Sequence, residues 1–301
     1  MLAFTILNNS RKNSNFIRFD SLNCEKIYTF GIIICSRISA MRIYMKRVVN
    51  TIQALLLFVV IFIASQILSS ILIGALHISG DVGFMLSYLL SMGLVYLLTT
   101  LYERAEYGNV RLIRKSAKGL DPMAVFAGVL LLFAISIALW PLEELMPGDG
   151  RVFGDGVYTL ITVVVISPII EELIFRGRLY NLLSHTVSPF MSAVLSSVVF
   201  ATIHLEPIII IGGFLSGMLF SYMYLLKRSI ILPILLHICN NTIAYGLHVI
   251  SYGGKPLMEY IGSEHYYISI YICSLLLVFV FIAFMIKRFM KEKRAMQKRE
   301  Q

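Results

Sequence analysis

The chain has 301 residues, of which 58% are hydrophobic and only 14% are charged. A soluble globular domain is about half apolar and about a quarter charged, so this composition excludes an ordinary soluble domain and a disordered chain. The four cysteines form no CxxC pair, which argues against a disulfide scaffold. The formal net charge of +9 would suggest nucleic acid in a soluble protein. In a chain this apolar we expect a membrane partner and no nucleic acid.

The first segment, residues 1–45, differs from the rest of the chain. It mixes Asn, Ser, Lys and aromatic residues, and its apolar run Tyr28–Ile34 is too short to span a bilayer. It has no small-residue cleavage site in the position that a signal peptide requires. We therefore expect residues 1–45 to be a poorly ordered N-terminal extension, with Met41 or Met45 as a candidate natural start.

Residues 46–286 then read as a bundle of membrane helices, because a helix needs about 20 mostly apolar residues to cross a bilayer. No alternating strand pattern recurs, so the expected fold is an all-α polytopic bundle. We predict about eight spans, at Thr51–Leu76, Val82–Leu101, Met123–Trp140, Val157–Leu183, Val187–His204, Pro207–Leu226, Ile230–Ile250 and Tyr267–Ile286. Residues 287–301 form a basic tail.

Charge fixes the expected orientation. With Arg176 and Arg178 counted at the end of the fourth span, 24 of the 26 Lys and Arg residues fall on one side, in the two terminal segments and alternate loops, and the other set of loops holds only Arg151 and Lys255. Lys and Arg are retained on the cytoplasmic side of a membrane. The pattern predicts that both termini are cytoplasmic in a multi-pass protein of the cell membrane.

Ionisable residues concentrate in three of the spans, and such residues inside a bilayer are functional candidates by default. The fourth span carries Glu171, Glu172 and Arg176 after a Ser167-Pro168 step that can kink the helix. Glu172 and Arg176 are four positions apart and can pair on one helix face. Glu171 lies about 100° round the helix and is free to face another group. The alternative is a helix end whose carboxylates are simply solvated.

The fifth span ends on Phe200-x-x-x-His204, and the seventh carries His237-x-x-x-Asn241. In each pair the two residues share a helix face. At about 1.5 Å per residue, Glu171, His204, His237 and Asn241 lie about 12 to 25 Å from the cytoplasmic edge, so they can meet in one buried pocket. Taken singly, each histidine could equally be an interfacial or hydrogen-bonded residue.

This set of residues has no matched Ser or Cys nucleophile, so the chemistry it favours is activation of water. A carboxylate would take a proton from water, and a His with an Asn would stabilise the oxyanion of a tetrahedral intermediate. Hydrolysis of an amide fits that division. Zinc or another divalent metal is the alternative, since two His and one carboxylate can bind it, but the spacing is not HExxH. We favour a site without a cofactor.

Together the three motifs Glu171-Glu172-x-x-x-Arg176, Phe200-x-x-x-His204 and His237-x-x-x-Asn241 resemble those of the CAAX protease and bacteriocin-processing (CPBP, Abi) family. The resemblance covers residues 120–250. It implies an eight-helix membrane bundle with a cytoplasm-facing cavity, and an intramembrane endopeptidase acting on a peptide or membrane-protein substrate. It makes Glu171 the base, with His204 as its partner. Glu172 and Arg176 become a supporting ion pair, and His237 and Asn241 the oxyanion pocket.

A second class of function stays open. The same fold could serve a non-enzymatic membrane protein, such as a bacteriocin self-immunity protein or a scaffold, in which the polar cluster only locks helices together. A complete set of three motifs favours the peptidase, because a scaffold needs only one matched pair.

Overall fold

The computed structural model describes residues 14–113, 121–145, 156–250 and 261–300, and the regular structure within these ranges is entirely helical. The predicted all-α bundle is thus confirmed, and each predicted span corresponds to one helix. The helices are α1 (Ser14–Ala75), α2 (Gly80–Tyr107), α3 (Pro122–Leu145), α4 (Val157–Leu183), α5 (Pro189–Thr202), α6 (Pro207–Lys227), α7 (Ile231–Ile250) and α8 (Glu264–Glu300).

The chain divides into two units, Met1–Asn50 and Thr51–Gln301. In the first unit, α1 begins at Ser14, and most of the side chains described from Ser36 onward are exposed. The extension over residues 1–45 and the alternative start at Met41 or Met45 stay predictions, and residues 1–13 lie outside the described part of the chain.

Six of the described helices are long and apolar enough to cross a membrane, namely α1 to α4, α6 and α8. This agrees with the predicted multi-pass membrane protein. Two others, α5 and α7, are shorter apolar helices. With 14 residues, α5 is about 21 Å long, less than the hydrocarbon thickness of about 30 Å. Helix α5 ends just before His204, and α7 carries His237. The cytoplasmic location of both termini stays a prediction.

Two apolar cores meet along α4 and α5. One core joins α3, the end of α4 and helices α5 to α8 around Leu219, Phe220 and Leu236. The other joins α1, α2, α4 and α5 around Phe58, Phe175 and Phe200. Since the polar motifs come from α4, α7 and the end of α5, they lie where these two cores adjoin.

The outward faces of the longest helices are apolar rather than charged. Large apolar side chains such as Leu56 and Ile71 on α1, and Phe279 and Phe284 on α8, are more than half exposed. A soluble monomer rarely exposes such continuous apolar surface. In a bilayer the same faces contact lipid, so the exposure follows from the environment that the composition predicts.

A charged cluster ties α2 to α4 near their ends. Glu103 is completely buried. Its Oε2 lies 3.3 Å from Arg178 Nη1 and its Oε1 lies 3.1 Å from His185 Nε2. The predicted second span ends at Leu101, and α2 continues beyond it to Tyr107, whose ring stacks on the imidazole of His185 at 4.1 Å.

We expect this cluster to make stability depend on pH. Burial lowers the pKa of His185, and the hydrogen bond with Glu103 only partly opposes this, while Arg111 lowers it further. The unfolded chain, with a pKa of about 6.5, therefore binds the proton first as the pH falls. The free energy of unfolding should decrease below about pH 6.5 and be fully recovered above it.

Thermal unfolding in detergent micelles between pH 7.5 and pH 5 measures this effect. His185→Gln should flatten the pH dependence, whereas His265→Gln, which alters an exposed histidine on α8, should not. Arg178, Arg111 and Tyr107, which surround the imidazole together with Glu103, are unchanged in both variants. Equal slopes for wild type and His185→Gln would contradict the assignment.

Candidate active site

The helix that carries the two glutamates is widened on both sides of them. Residues Thr162–Ile166 and Phe175–Leu179 of α4 are π-helical, and Ser167–Ile174 between them is α-helical. Such π segments are rare and often mark functional sites. Glu171 and Glu172 lie on the short α-helical segment between these two bulges. Each bulge shifts the helical register, and so changes the direction in which the side chains beyond it point.

Proline accounts for the position of the first bulge. In its i→i−5 pattern the Ser167 N–H donates to the Thr162 carbonyl. The next bond in that pattern would run from residue 168 to the Val163 carbonyl, but Pro168 has no N–H. Asn241 supplies the missing donor, because its Nδ2 lies 2.9 Å from Val163 O. Asn241 of α7 therefore completes the hydrogen bonding of α4 at the proline.

The predicted pair of Glu172 and Arg176 forms and is fully buried. Arg176 Nη1 lies 2.8 Å from Glu172 Oε1, and both side chains have zero exposure. A solvated helix end, the alternative considered for these carboxylates, does not describe this arrangement. A buried ion pair is tolerated only where good geometry and further hydrogen bonds offset the desolvation of both charges.

Aromatic rings and one backbone carbonyl enclose the guanidinium. The rings of Phe200 and Phe220 lie 4.7 Å and 5.4 Å from Arg176 Cζ, and Nη2 donates to the Gly217 carbonyl at 2.9 Å. A Cβ on Gly217 would lie only 3.1 Å from Arg176 Nη2 and from Ser197 Cβ. The glycine therefore lets α6 approach both Arg176 and α5.

His237 lies between the two glutamates. Its Nδ1 is 3.1 Å from Glu172 Oε1 and its Nε2 is 3.7 Å from Glu171 Oε2. A carboxylate oxygen only accepts, so the Nδ1 proton belongs to the bond with Glu172. The imidazole also stacks on Phe220 at 5.0 Å and meets the edge of Phe200 at 5.7 Å. The ring is thus fixed in direction, with Nε2 pointing towards Glu171.

Glu171 has two partners that the sequence analysis did not assign to it. Tyr88 Oη of α2 lies 2.9 Å from Glu171 Oε1, and Ser167 Oγ also donates to Oε1. The signal for Ser167 was present, since it lies four positions before Glu171 on one helix face. Tyr88 gave no comparable signal, because it comes from another helix within an apolar stretch.

His204 lies just beyond the end of α5 and is partly exposed. Its Nδ1 donates to the Phe200 carbonyl at 3.0 Å, and its ring meets the Phe200 ring edge-on at 5.2 Å. Among the described contacts, none joins His204 directly to Glu171. Phe200 connects the two histidines, since it also contacts His237.

The structure thus brings Glu171, Glu172, Arg176 and His237 into one group of polar contacts. His204 and Asn241 adjoin the group through Phe200 and through the first bulge of α4. Within the described ranges, no three His, Cys, Asp or Glu side chains are grouped so that they could hold a metal ion.

Comparison with known proteins also points to a peptidase. Residues 153–243 match the family described as "Type II CAAX prenyl endopeptidase Rce1-like", and the matched segment contains all six predicted site residues. The chain is 25% identical over 105 residues to "Putative membrane peptidase YdiL" of Bacillus subtilis. That alignment covers 35% of this chain and 41% of the relative, so the chain spans well under half of the relative's length. None of the solved structures matches. The resemblance to the CAAX protease family is therefore confirmed, and it rests on the segment that contains the buried Glu, Arg and His residues.

Proposed function

We propose that this protein is an intramembrane endopeptidase of the CAAX protease type, in which Glu171 activates water to hydrolyse a peptide bond. The observation that carries the proposal is the position of Glu171 Oε2, 3.7 Å from His237 Nε2. That separation is longer than a direct hydrogen bond, and a water molecule can bridge two groups at such a distance. Both atoms belong to side chains that are more than nine-tenths buried.

In the proposed reaction, water is held by Glu171 Oε2 and His237 Nε2. As the water oxygen attacks the peptide carbonyl, one proton passes to the Glu171 carboxylate. The same carboxyl group then returns the proton to the leaving amine, so that the base is regenerated. Glu172 and Arg176 take no proton. They hold the Nδ1 side of His237, as a carboxylate orients a catalytic histidine in other hydrolases.

The remaining motif residues are proposed to face the substrate. The amide of Asn241 has two N–H groups, of which one satisfies Val163 and the other can donate to the oxyanion. His204, whose Nδ1 proton is used by the Phe200 carbonyl, presents Nε2 from a partly exposed position beside Phe200. The resemblance makes His204 the partner of Glu171. We propose that both histidines serve the reaction, with His237 beside Glu171 and His204 on the side that faces the substrate.

The lipid bilayer and a peptide or membrane-protein substrate are the proposed partners. The alternative is a non-enzymatic immunity protein or scaffold. It would use the contact of Glu172 with His237 only to join α4 to α7. The two functions separate at Glu171, because a locking role can keep the contact of Glu171 with Tyr88 through an uncharged side chain, whereas the peptidase reaction needs its carboxylate.

Glu171→Gln should strongly reduce peptidase activity. The amide has the shape of the carboxyl group but cannot accept the proton, so we expect a loss of about 10²- to 10⁴-fold. The measurement uses purified protein in lipid vesicles with a fluorescence-quenched farnesylated peptide that ends in a CAAX sequence. Mass spectrometry of membrane and secreted peptides from cells carrying each variant identifies natural cleavages that disappear.

Glu106→Gln is the matched control, since it makes the same chemical change at an exposed glutamate of α2. It should cleave as fast as wild type. A well-folded Glu171→Gln variant with undiminished cellular function and an unchanged peptide profile would favour the immunity or scaffold alternative.

Glu172→Gln should act on stability first. It leaves the guanidinium of Arg176 buried without a counter-charge, and breaking a buried pair in this way typically costs about 3–5 kcal/mol. Thermal unfolding in micelles should therefore show a large loss for Glu172→Gln and a small change for Glu171→Gln. Equal losses for the two neighbouring substitutions would contradict the division of roles.

A further inference from the structure

The proposed base is held by a helix that lies outside the segment matched to the CAAX protease family. Tyr88 of α2 donates towards Glu171 Oε1 at 2.9 Å and lies 3.0 Å from Ser167 Oγ. The family match covers residues 153–243, so Ser167 lies within it and Tyr88 does not. Neither residue belongs to the three sequence motifs.

Both hydroxyl groups act on the same carboxylate oxygen. Tyr88 Oη and Ser167 Oγ contact Oε1, whereas Oε2 is the atom that lies 3.7 Å from His237 Nε2. A carboxylate held through one oxygen cannot rotate freely about its last bond. The other oxygen is then presented to the imidazole in one orientation, which is the geometry that proton transfer from a bound water requires.

Helix α2 is a suitable support because it is fixed to α4 at three levels. Near its start, Asp81 Oδ2 accepts from the Tyr158 N–H at 3.2 Å. Near its end, Glu103 Oε2 contacts Arg178 Nη1 at 3.3 Å. Tyr88 makes the contact between these two levels and packs against the core around Phe58 and Phe175. Its hydroxyl is therefore delivered by a rigid element rather than by a loop.

We propose that Tyr88 is a positioning residue for the peptidase reaction, which with Ser167 holds Glu171 Oε1 so that Oε2 faces His237 and the attacking water. This inference rests on the proposed function, since it assigns Tyr88 to the base of that reaction. Tyr88 acts through Glu171 and has no contact of its own with the bond that is cleaved.

Tyr88→Phe tests the assignment, because it removes only the hydroxyl group. We expect kcat for the farnesylated CAAX peptide in vesicles to fall about 10- to 100-fold, which is the usual effect of losing one hydrogen bond to a charged group. KM should change less than about twofold, because the ring and the substrate surface are retained. Tyr96→Phe is the matched control, since it removes a phenolic hydroxyl from α2 and keeps the ring that stacks on Arg178. It should leave both constants unchanged.

Ser167 gives a second, independent variant. Ser167→Ala should lower kcat in the same way, and Ser167→Thr, which keeps a hydroxyl group, should restore most of it. The double variant Tyr88→Phe with Ser167→Ala should lose less than the product of the two single effects, because both hydroxyl groups serve one oxygen.

An infrared measurement tests the contact without any substrate. The carboxyl stretching band of Glu171 is identified as the band that Glu171→Gln removes, and it should shift in Tyr88→Phe and stay in place in Tyr96→Phe. An unshifted band, or an unchanged kcat in folded Tyr88→Phe, overturns the proposal for Tyr88. Failure of wild type to cleave any peptide, with the band shifted as expected, instead overturns the proposed peptidase function.

Discussion

The buried ion pair between Glu172 and Arg176 is the interaction on which the rest of this site depends. Two fully desolvated charges 2.8 Å apart need further partners, and these partners come from three other helices. Arg176 takes the rings of Phe200 and Phe220 and the carbonyl of Gly217. Glu172 takes Nδ1 of His237. Through these contacts the pair brings α5, α6 and α7 around one point of α4.

That requirement separates the roles of two adjacent and chemically identical side chains. The oxygen of Glu172 that faces the pair is shared by Arg176 and His237, so its carboxylate is committed to holding the site together. Among the described residues, the one basic side chain within 4 Å of the Glu171 carboxylate is His237, whose Nε2 lies 3.7 Å from Oε2, and the hydroxyl groups of Tyr88 and Ser167 both contact Oε1. This difference in partners supports the proposal that Glu171, and not Glu172, is the base of the reaction.

The irregular backbone of α4 serves the same arrangement. Pro168 has no N–H, so the first bulge lacks a donor for the Val163 carbonyl. Asn241 of α7 donates to that carbonyl instead, and this hydrogen bond joins α7 to α4. The proposed oxyanion role of Asn241 is compatible with this bond to α4. A side chain with two N–H groups can do both, since one satisfies the backbone and the other remains for substrate.

A second group of charges, around Glu103, shows that burial of ions in this protein is not restricted to the motifs. Glu103, Arg178 and His185 lie at the ends of α2 and α4, and they hold together the two helices that deliver Tyr88 and Glu171. We infer that this cluster supports the spacing of α2 and α4 near the cytoplasmic side that the distribution of Lys and Arg predicts.

The sequence by itself determined the membrane class, the number and approximate limits of the helices, and the six polar residues of the motifs. Hydropathy and i, i+4 spacing are local properties, so a linear pattern records them. Only the tertiary structure decided which motifs touch. It placed His237 rather than His204 beside Glu171, gave Tyr88 a place against the base, and used Asn241 to complete a broken helix. Those outcomes depend on how helices far apart in sequence pack and on where a π segment shifts the helical register. The local spacing of residues predicts neither.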